Sequence, residues 1–194
     1  MPKKVLVFLA EGFEEVEAIT PIDYLRRAGI EVTVAAVNKG PAVKGSHGIQ
    51  VATDASLDDL AGAGKLKPSS WDAVVVPGGL PGADNLAASK RVGDFLKGMA
   101  EAGKLVAAIC ASPARVLAPL GLLVGKKFTC YPGEEKNISP SMLAGADWKQ
   151  DRVVIDGNLV TSRGAGTAGE FAAAIIGELL GAEEAKKLAD KVLL

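Results

Sequence analysis

The sequence predicts an α/β sandwich with a mostly parallel central sheet. Three observations carry that expectation. Short apolar runs such as Val5 to Ala10, Asp72 to Val76 and Leu105 to Ile109 suit strands buried on both faces. Stretches of helical periodicity separate these runs, the pattern of crossover units. One run ends at Cys110, where Ser112 and Pro113 signal a helix start, so a cysteine stands at a strand-to-helix elbow.

The elements follow in chain order. Val5 to Ala10 reads as a buried strand broken at Gly12, and Glu14 to Ala28 as a helix stopped by Gly29. Glu31 to Val37 is the next strand. Lys39-Gly40-Pro41 is a turn, and Ile49 to Thr53 a short strand after the Gly45-Ser46-His47-Gly48 loop. Asp54 to Leu60 reads as a helical turn and Gly62 to Ser70 as a polar surface loop. After the strand Asp72 to Val76 come Pro77-Gly78-Gly79 and one amphipathic helix from Asn85 to Ala102. The central strand follows, then a helix from the elbow to about Leu120. Lys127 to Tyr131 and Arg152 to Ile155 are strands, and Asp156-Gly157-Asn158 turns the latter back into Leu159 to Ser162. Helices Thr167 to Leu180 and Glu183 to Leu194 close the chain. With no repeat, low-complexity tract or linker, residues 1–194 are expected to form one domain.

Composition excludes several function classes. A net charge of −1 without a basic block leaves no electrostatic footprint for nucleic acid or an anionic membrane. The apolar run after Met1-Pro2-Lys3-Lys4 ends at Glu11 and is too short for a signal peptide or a membrane span. Two cysteines without an export signal imply a reducing, cytoplasmic setting and no structural disulfide.

Candidate chemistry is sparse, which sharpens it. Cys110 at the elbow is either a small buried hydrophobe or a nucleophile whose thiolate the helix start favours. Glu17 projects into the apolar arc of the first helix, which holds Ala18, Pro21, Ile22, Tyr24, Leu25, Ala28 and Gly29. It is either solvated at the arc's edge or desolvated, with a raised pKa. Gly78 and Gly79 form either a plain turn or a set of backbone donors for an oxyanion. Ser162-Arg163-Gly164-Ala165-Gly166-Thr167 lacks the dinucleotide fingerprint and reads as a tight capped turn. Cys130 alternates with Tyr131 and reads as packing. His47 is the only histidine and lies in a Gly-rich loop. A Cys-His-Asp triad would have to use it, and a zinc site would have at most this one histidine.

Several motifs together resemble the ThiJ/PfpI superfamily, in the branch of the parkinsonism-associated protein deglycase and the bacterial YajL chaperone. They are Ala10-Glu11-Gly12-Phe13-Glu14-Glu15-Val16-Glu17, Arg26-Arg27-Ala28-Gly29-Ile30, Asp54-Ala55-Ser56-Leu57, Val76-Pro77-Gly78-Gly79, Ala107-Ala108-Ile109-Cys110-Ala111 and Thr161-Ser162-Arg163-Gly164. The resemblance covers nearly the whole chain. It implies a flavodoxin-like three-layer sandwich with a nucleophile elbow, a homodimer and no cofactor or metal. It places the reactive cysteine at Cys110, the protonated glutamate at Glu17 and the oxyanion backbone at Gly78, Gly79 and Ala111. His47, Tyr131 and Arg27 become candidate substrate-positioning residues. The implied activities are a cysteine-dependent glyoxalase or deglycase acting on 2-oxoaldehydes or glycated protein, and a redox-sensing chaperone that oxidises Cys110. A plain binding module would need neither Cys110 nor Glu17 to react. Three departures stand out. Ala111 replaces the histidine of the peptidase branch, which argues against proteolysis. Tyr131 and His47 stand where close relatives often carry histidine and arginine.

Overall fold

The computed structural model describes residues 2–38 and 40–194. Lys39, part of the expected turn, lies outside the described residues. In chain order the structure has β1 (Lys4–Leu9), α1 (Glu15–Arg27), β2 (Glu31–Ala36), β3 (Ala42–Lys44), β4 (Gln50–Ala52), β5 (Ala55–Ser56) and α2 (Leu57–Gly62). Then come β6 (Ala73–Val76), α3 (Gly82–Ala88), α4 (Lys90–Glu101), β7 (Leu105–Ile109), β8 (Lys127–Phe128) and β9 (Asp147–Trp148). The chain closes with β10 (Val153–Asp156), β11 (Leu159–Ser162), α5 (Ala168–Leu180) and α6 (Ala182–Val192).

Seven strands form the main sheet in the order β10-β11-β7-β6-β1-β2-β5. Every pairing is parallel except the hairpin β10–β11. Alternate residues of β1 serve opposite faces. Leu6 and Phe8 join one apolar cluster with Leu86, Leu96 and Leu117, while Val5, Val7 and Leu9 join another with Ala18, Leu25 and Phe171. Helices therefore cover both faces, which is why the strands read as continuous apolar runs. Counted along the chain, the central strands β2, β1, β6, β7 and β11 run 2-1-3-4-5, the doubly wound order. The strand order reverses between β1 and β6, and the crevice at their carboxyl ends is where such folds bind ligands.

Five local expectations need correction. The helix expected from Asn85 to Ala102 is two helices, because Ser89 ends α3 and its side chain caps α4 by accepting from Val92 N at 3.5 Å. No regular helix follows Cys110: Pro113–Leu117 is a single π-helical turn. Ser112 does not cap it, since its hydroxyl is buried and donates to the Pro77 carbonyl at 2.6 Å. The strand expected from Lys127 to Tyr131 stops at Phe128 and pairs with β9, off the main sheet. Cys130 is nevertheless buried, as expected, and Tyr131 is exposed. The turn expected from Asp54 begins instead as the edge strand β5, and α2 starts at Leu57 behind a Ser56–Asp59 capping box.

Candidate active site

Four loops meet at the carboxyl ends of β1, β6, β7 and β11, and each supplies one part of the site. The first part is the start of α1. Glu14 caps this helix, its carboxylate accepting from Glu17 N at 2.7 Å, while Glu14 N donates to the Gly78 carbonyl at 3.0 Å. That cap fixes the rotation of the first turn and turns Glu17 inward, where it is 1% exposed.

The loop after β6 receives it. Gly78 N donates to Glu17 Oε2 at 3.0 Å. A Cβ on Gly78 would stand 2.6 Å from that oxygen and 2.7 Å from Cys110 Cβ, so only glycine fits. Gly79 has φ +88° and its N–H faces the Cys110 sulfur, as does that of Ala111. Gly78 is thus corrected from oxyanion donor to glutamate anchor, because its N–H is already committed.

Cys110 itself has φ +64°, a conformation that costs a non-glycine residue on the order of 1–3 kcal/mol. The flanking chains hold it there. Its N–H donates to the Ser162 carbonyl at 2.9 Å, and its carbonyl accepts from Tyr131 N at 2.8 Å. The strain aims the side chain into the crevice, where sulfur and the Glu17 carboxyl are hydrogen-bonded.

The electrostatics follow from burial. Desolvation, with a contribution from the Glu14 charge, raises the Glu17 pKa to about 7, against hydrogen bonds from Cys110, Gly78 N and Ala165 N. Desolvation and the Glu17 charge push the Cys110 thiol up, while the Gly79 and Ala111 N–H groups pull it down. The two groups titrate as a coupled pair, with the Glu17 carboxyl changing charge near neutral pH. A helix N-terminus was expected to favour the thiolate. With one π turn in place of that helix, the thiolate is favoured by the Gly79 and Ala111 N–H groups, against burial and the Glu17 carboxyl.

The other expected site residues separate. Tyr131 is at the site: a Cβ on Gly164 would stand 3.4 Å from its ring and 3.7 Å from Glu17 Oε1. Arg27 is not, because it sits in the last turn of α1, paired with Asp23 at 2.6 Å. Ten residues of helix place it about 15 Å along the axis from Glu17. His47 binds Glu15, whose carboxylate accepts from His47 N at 2.8 Å, His47 Nδ1 at 2.8 Å, Ile49 N at 3.3 Å and Ser46 Oγ at 3.4 Å. Burial raises the Glu15 pKa, but these hydrogen bonds outweigh it and hold the value at about 2. The residue missed in the sequence is Ala165, whose N–H also faces Glu17. Its loop reads as a turn, and nothing in its composition marks one N–H as special.

Among the described residues, Glu14, Glu15 and His47 are the group whose potential ligand atoms lie within 4.8 Å of one another. Their carboxylate oxygens already serve the helix cap and the loop. A cleft of about 530 Å³ at the amino ends of the strands is lined by Lys3, Lys4, Lys65 and Lys104 with Glu31 and Asp72, and by no cysteine or histidine. The chemistry lies at the opposite end of the sheet.

This geometry can be set beside known proteins. The family profile described as the DJ-1/PfpI family matches residues 3–178. The chain belongs to the DJ-1/PfpI family. It is 45% identical to Drosophila melanogaster protein dj-1beta over 195 residues, covering 100% of this chain and 98% of that one. The crystal structure of that DJ-1/PfpI relative superposes with a TM-score of 0.88 at 44% identity, covering 100% and 99% of the two chains. Toxoplasma gondii DJ-1, solved in an oxidised form, gives 0.88 at 39% identity and 98% coverage of both. A Pyrococcus abyssi protein named a deglycase is 37% identical over 161 residues, 82% of this chain and 89% of that one. No helix among the described residues is long and apolar enough to cross a membrane.

Proposed function

We propose that this protein is a cofactor-independent, cysteine-dependent enzyme of the glyoxalase or deglycase type. Its substrates are small 2-oxoaldehydes such as methylglyoxal, or their protein adducts, and its role is protection against carbonyl and oxidative stress. The observation that carries the reading is the Glu17–Cys110 pair, a desolvated carboxyl with its pKa raised to about 7 beside a sulfur that the Gly79 and Ala111 N–H groups face.

The steps use only these groups and water. The Cys110 thiolate attacks the aldehyde carbon, forming a C–S bond and an alkoxide. The N–H groups of Gly79 and Ala111 stabilise that oxygen, and Glu17 protonates it. Glu17, now a carboxylate, removes the proton from the former aldehyde carbon and returns it to the neighbouring carbon, while the hydroxyl proton passes from the first oxygen to the oxygen of that neighbour. The result is a 2-hydroxyacyl thioester. Water cleaves the thioester, releasing a 2-hydroxy acid and restoring the thiol. One carbon is oxidised and its neighbour reduced, so no outside electron acceptor is needed.

The deciding experiment incubates purified protein with methylglyoxal and follows lactate. Lactate formed by the wild type and not by Cys110→Ser supports the proposal, and its absence from both overturns it.

A second reading is a redox-sensing chaperone in which peroxide oxidises Cys110 to a sulfinate. The oxidised form of the Toxoplasma gondii relative favours it. Holdase activity that appears only after peroxide, without lactate formation, selects this reading. We also propose a homodimer: α1 exposes Val16 and Ile19, and Ile49 lies exposed on the loop bound to Glu15. A mass near 19.9 kDa by light scattering at micromolar concentration overturns that.

A further inference from the structure

Tyr131 reaches the site on a segment with almost no regular structure, and a chain of polar contacts holds that segment down. Tyr131 N donates to the Cys110 carbonyl, and the Tyr131 carbonyl accepts from Glu134 N at 3.0 Å. The Glu134 side chain is gripped at both oxygens by Arg115, Nε to Oε2 at 2.8 Å and Nη2 to Oε1 at 3.0 Å. Arg115 Nη1 reaches Asp84 of α3 at 2.9 Å. Arg115 belongs to the π turn immediately after the nucleophile. One guanidinium therefore ties the cysteine's own turn, the Tyr131 segment and α3 together. The pair is largely shielded, with 30% and 13% of the two side chains exposed, and the planar fork fixes direction as well as distance. The held segment presents a half-exposed aromatic ring beside Gly164 and Glu17 Oε1. No side chain on Gly164 intervenes.

We infer that the Tyr131 ring, stapled by Arg115 and Glu134, is one wall of the substrate site and selects aryl-substituted 2-oxoaldehydes over methylglyoxal. The inference rests on the glyoxalase reading for its substrate class, but not for the wall itself. A flat ring held on the Gly164 side of the site, near Glu17, offers offset or edge contacts to an aromatic substituent and little to a methyl group. Arg115 and Glu134 are positioning residues, acting on substrate only through Tyr131.

The test reads Cys110 directly. Wild type, Tyr131→Ala, Tyr131→Phe, Arg115→Met and Glu134→Gln are alkylated with N-phenyl iodoacetamide and with iodoacetamide, and peptide mapping gives the rate ratio at Cys110. Circular dichroism and an unreactive Cys130 confirm each fold. The phenyl preference is expected to fall about tenfold in Tyr131→Ala, the scale of a lost aromatic pair. It should persist in Tyr131→Phe and fall at least threefold in one or both staple variants. A ratio in Tyr131→Ala within twofold of wild type overturns the wall, and so does a Tyr131→Phe that behaves like Tyr131→Ala. An intact ratio in both staple variants overturns the role of Arg115 and Glu134. A second arm compares turnover of phenylglyoxal and methylglyoxal. A Tyr131-dependent alkylation ratio with no turnover of either compound sinks the glyoxalase reading and leaves the aromatic wall standing.

Discussion

Gly78 N and Glu17 Oε2 lie 3.0 Å apart, joining the loop after β6 to the first turn of α1 across 61 residues of sequence. That hydrogen bond orients the carboxyl toward sulfur, and the missing Cβ of Gly78 leaves room for both. Gly78→Ala should therefore cost roughly 10²-fold or more in turnover while keeping the fold, because small misplacements of a reacting group cost that much. Kinetics beside circular dichroism will check this, and near-normal turnover would show that the close approach is not needed.

Glu17 and Cys110 should divide the chemistry unequally from His47. Cys110→Ala removes the covalent step and should form no lactate above background. Glu17→Gln keeps the shape but cannot return a proton, so it should lose about 10²-fold or more. His47→Ala should stay within about tenfold of wild type, since His47 is held by Glu15 rather than by the pair. A dead His47→Ala beside an active Glu17→Gln would point instead to a Cys-His hydrolase.

Thiol selectivity follows from access. Cys130 is fully buried, with its pKa pushed up to about 12 by burial and by the Glu135 and Glu134 charges. Cys110 is partly exposed. Limiting iodoacetamide or peroxide should modify Cys110 first in the folded protein. Equal rates at both sites by peptide mass mapping would refute the difference in access.

Stability should carry the signature of Glu17. Its folded pKa lies above the ordinary value of 4.5, so the native state holds that proton more tightly than the unfolded chain does. The contribution is complete below pH 4.5 and is lost as the pH rises through about 7. The shift corresponds to roughly 3 kcal/mol. Denaturant titrations should show wild type losing stability across this window and Glu17→Gln lacking that loss. The coupled pair should also titrate in two steps in wild type and one in Glu17→Gln, read by thiolate absorbance.

Glu15 should behave in the opposite sense. Its folded pKa of about 2 means its contribution is present above pH 4.5 and disappears as the pH falls toward 2. Glu15→Ala leaves the donors of residues 46–49 without their acceptor. It should cost about 2–4 kcal/mol at pH 7, a difference that shrinks in acid. Urea unfolding at pH 7 and pH 3 will measure it, and an equal cost at both would show that packing rather than ionisation is responsible.

The alternation of elements, both-face burial of β1, β6 and β7, the Gly157–Asn158 hairpin and the positions of Cys110 and Glu17 were legible in the chain, because each depends on local pattern. Periodicity put Glu17 on the apolar arc of α1, of which Ala18, Pro21, Ile22 and Leu25 are buried while Tyr24 and Ala28 are partly exposed and Gly29 lies at the surface. The family motifs then selected Cys110 and Glu17 from the alternatives that the pattern left open. The break at Ser89 was not legible, since its helical periodicity continues across the cap. The truncated strand after Lys127 was hidden for a similar reason: its residues favour strand, but no neighbour in the main sheet pairs with it.

The sequence by itself determined which groups carry charge and sulfur and on which faces of their elements they lie. Helical and strand periods are properties of the backbone, so these faces follow from spacing alone. Only the tertiary structure decided which backbone N–H groups meet them. Gly78 N serves Glu17, Gly79 N and Ala111 N serve Cys110, and Ala165 N arrives from β11. Every residue but proline carries the same N–H, so no residue type announces which one will be left without a sheet or helix partner. Tertiary packing likewise removed Arg27 from the site and brought Tyr131 to it. Reach along one helix is fixed at 1.5 Å per residue, whereas the approach of two loops depends on the whole sheet between them.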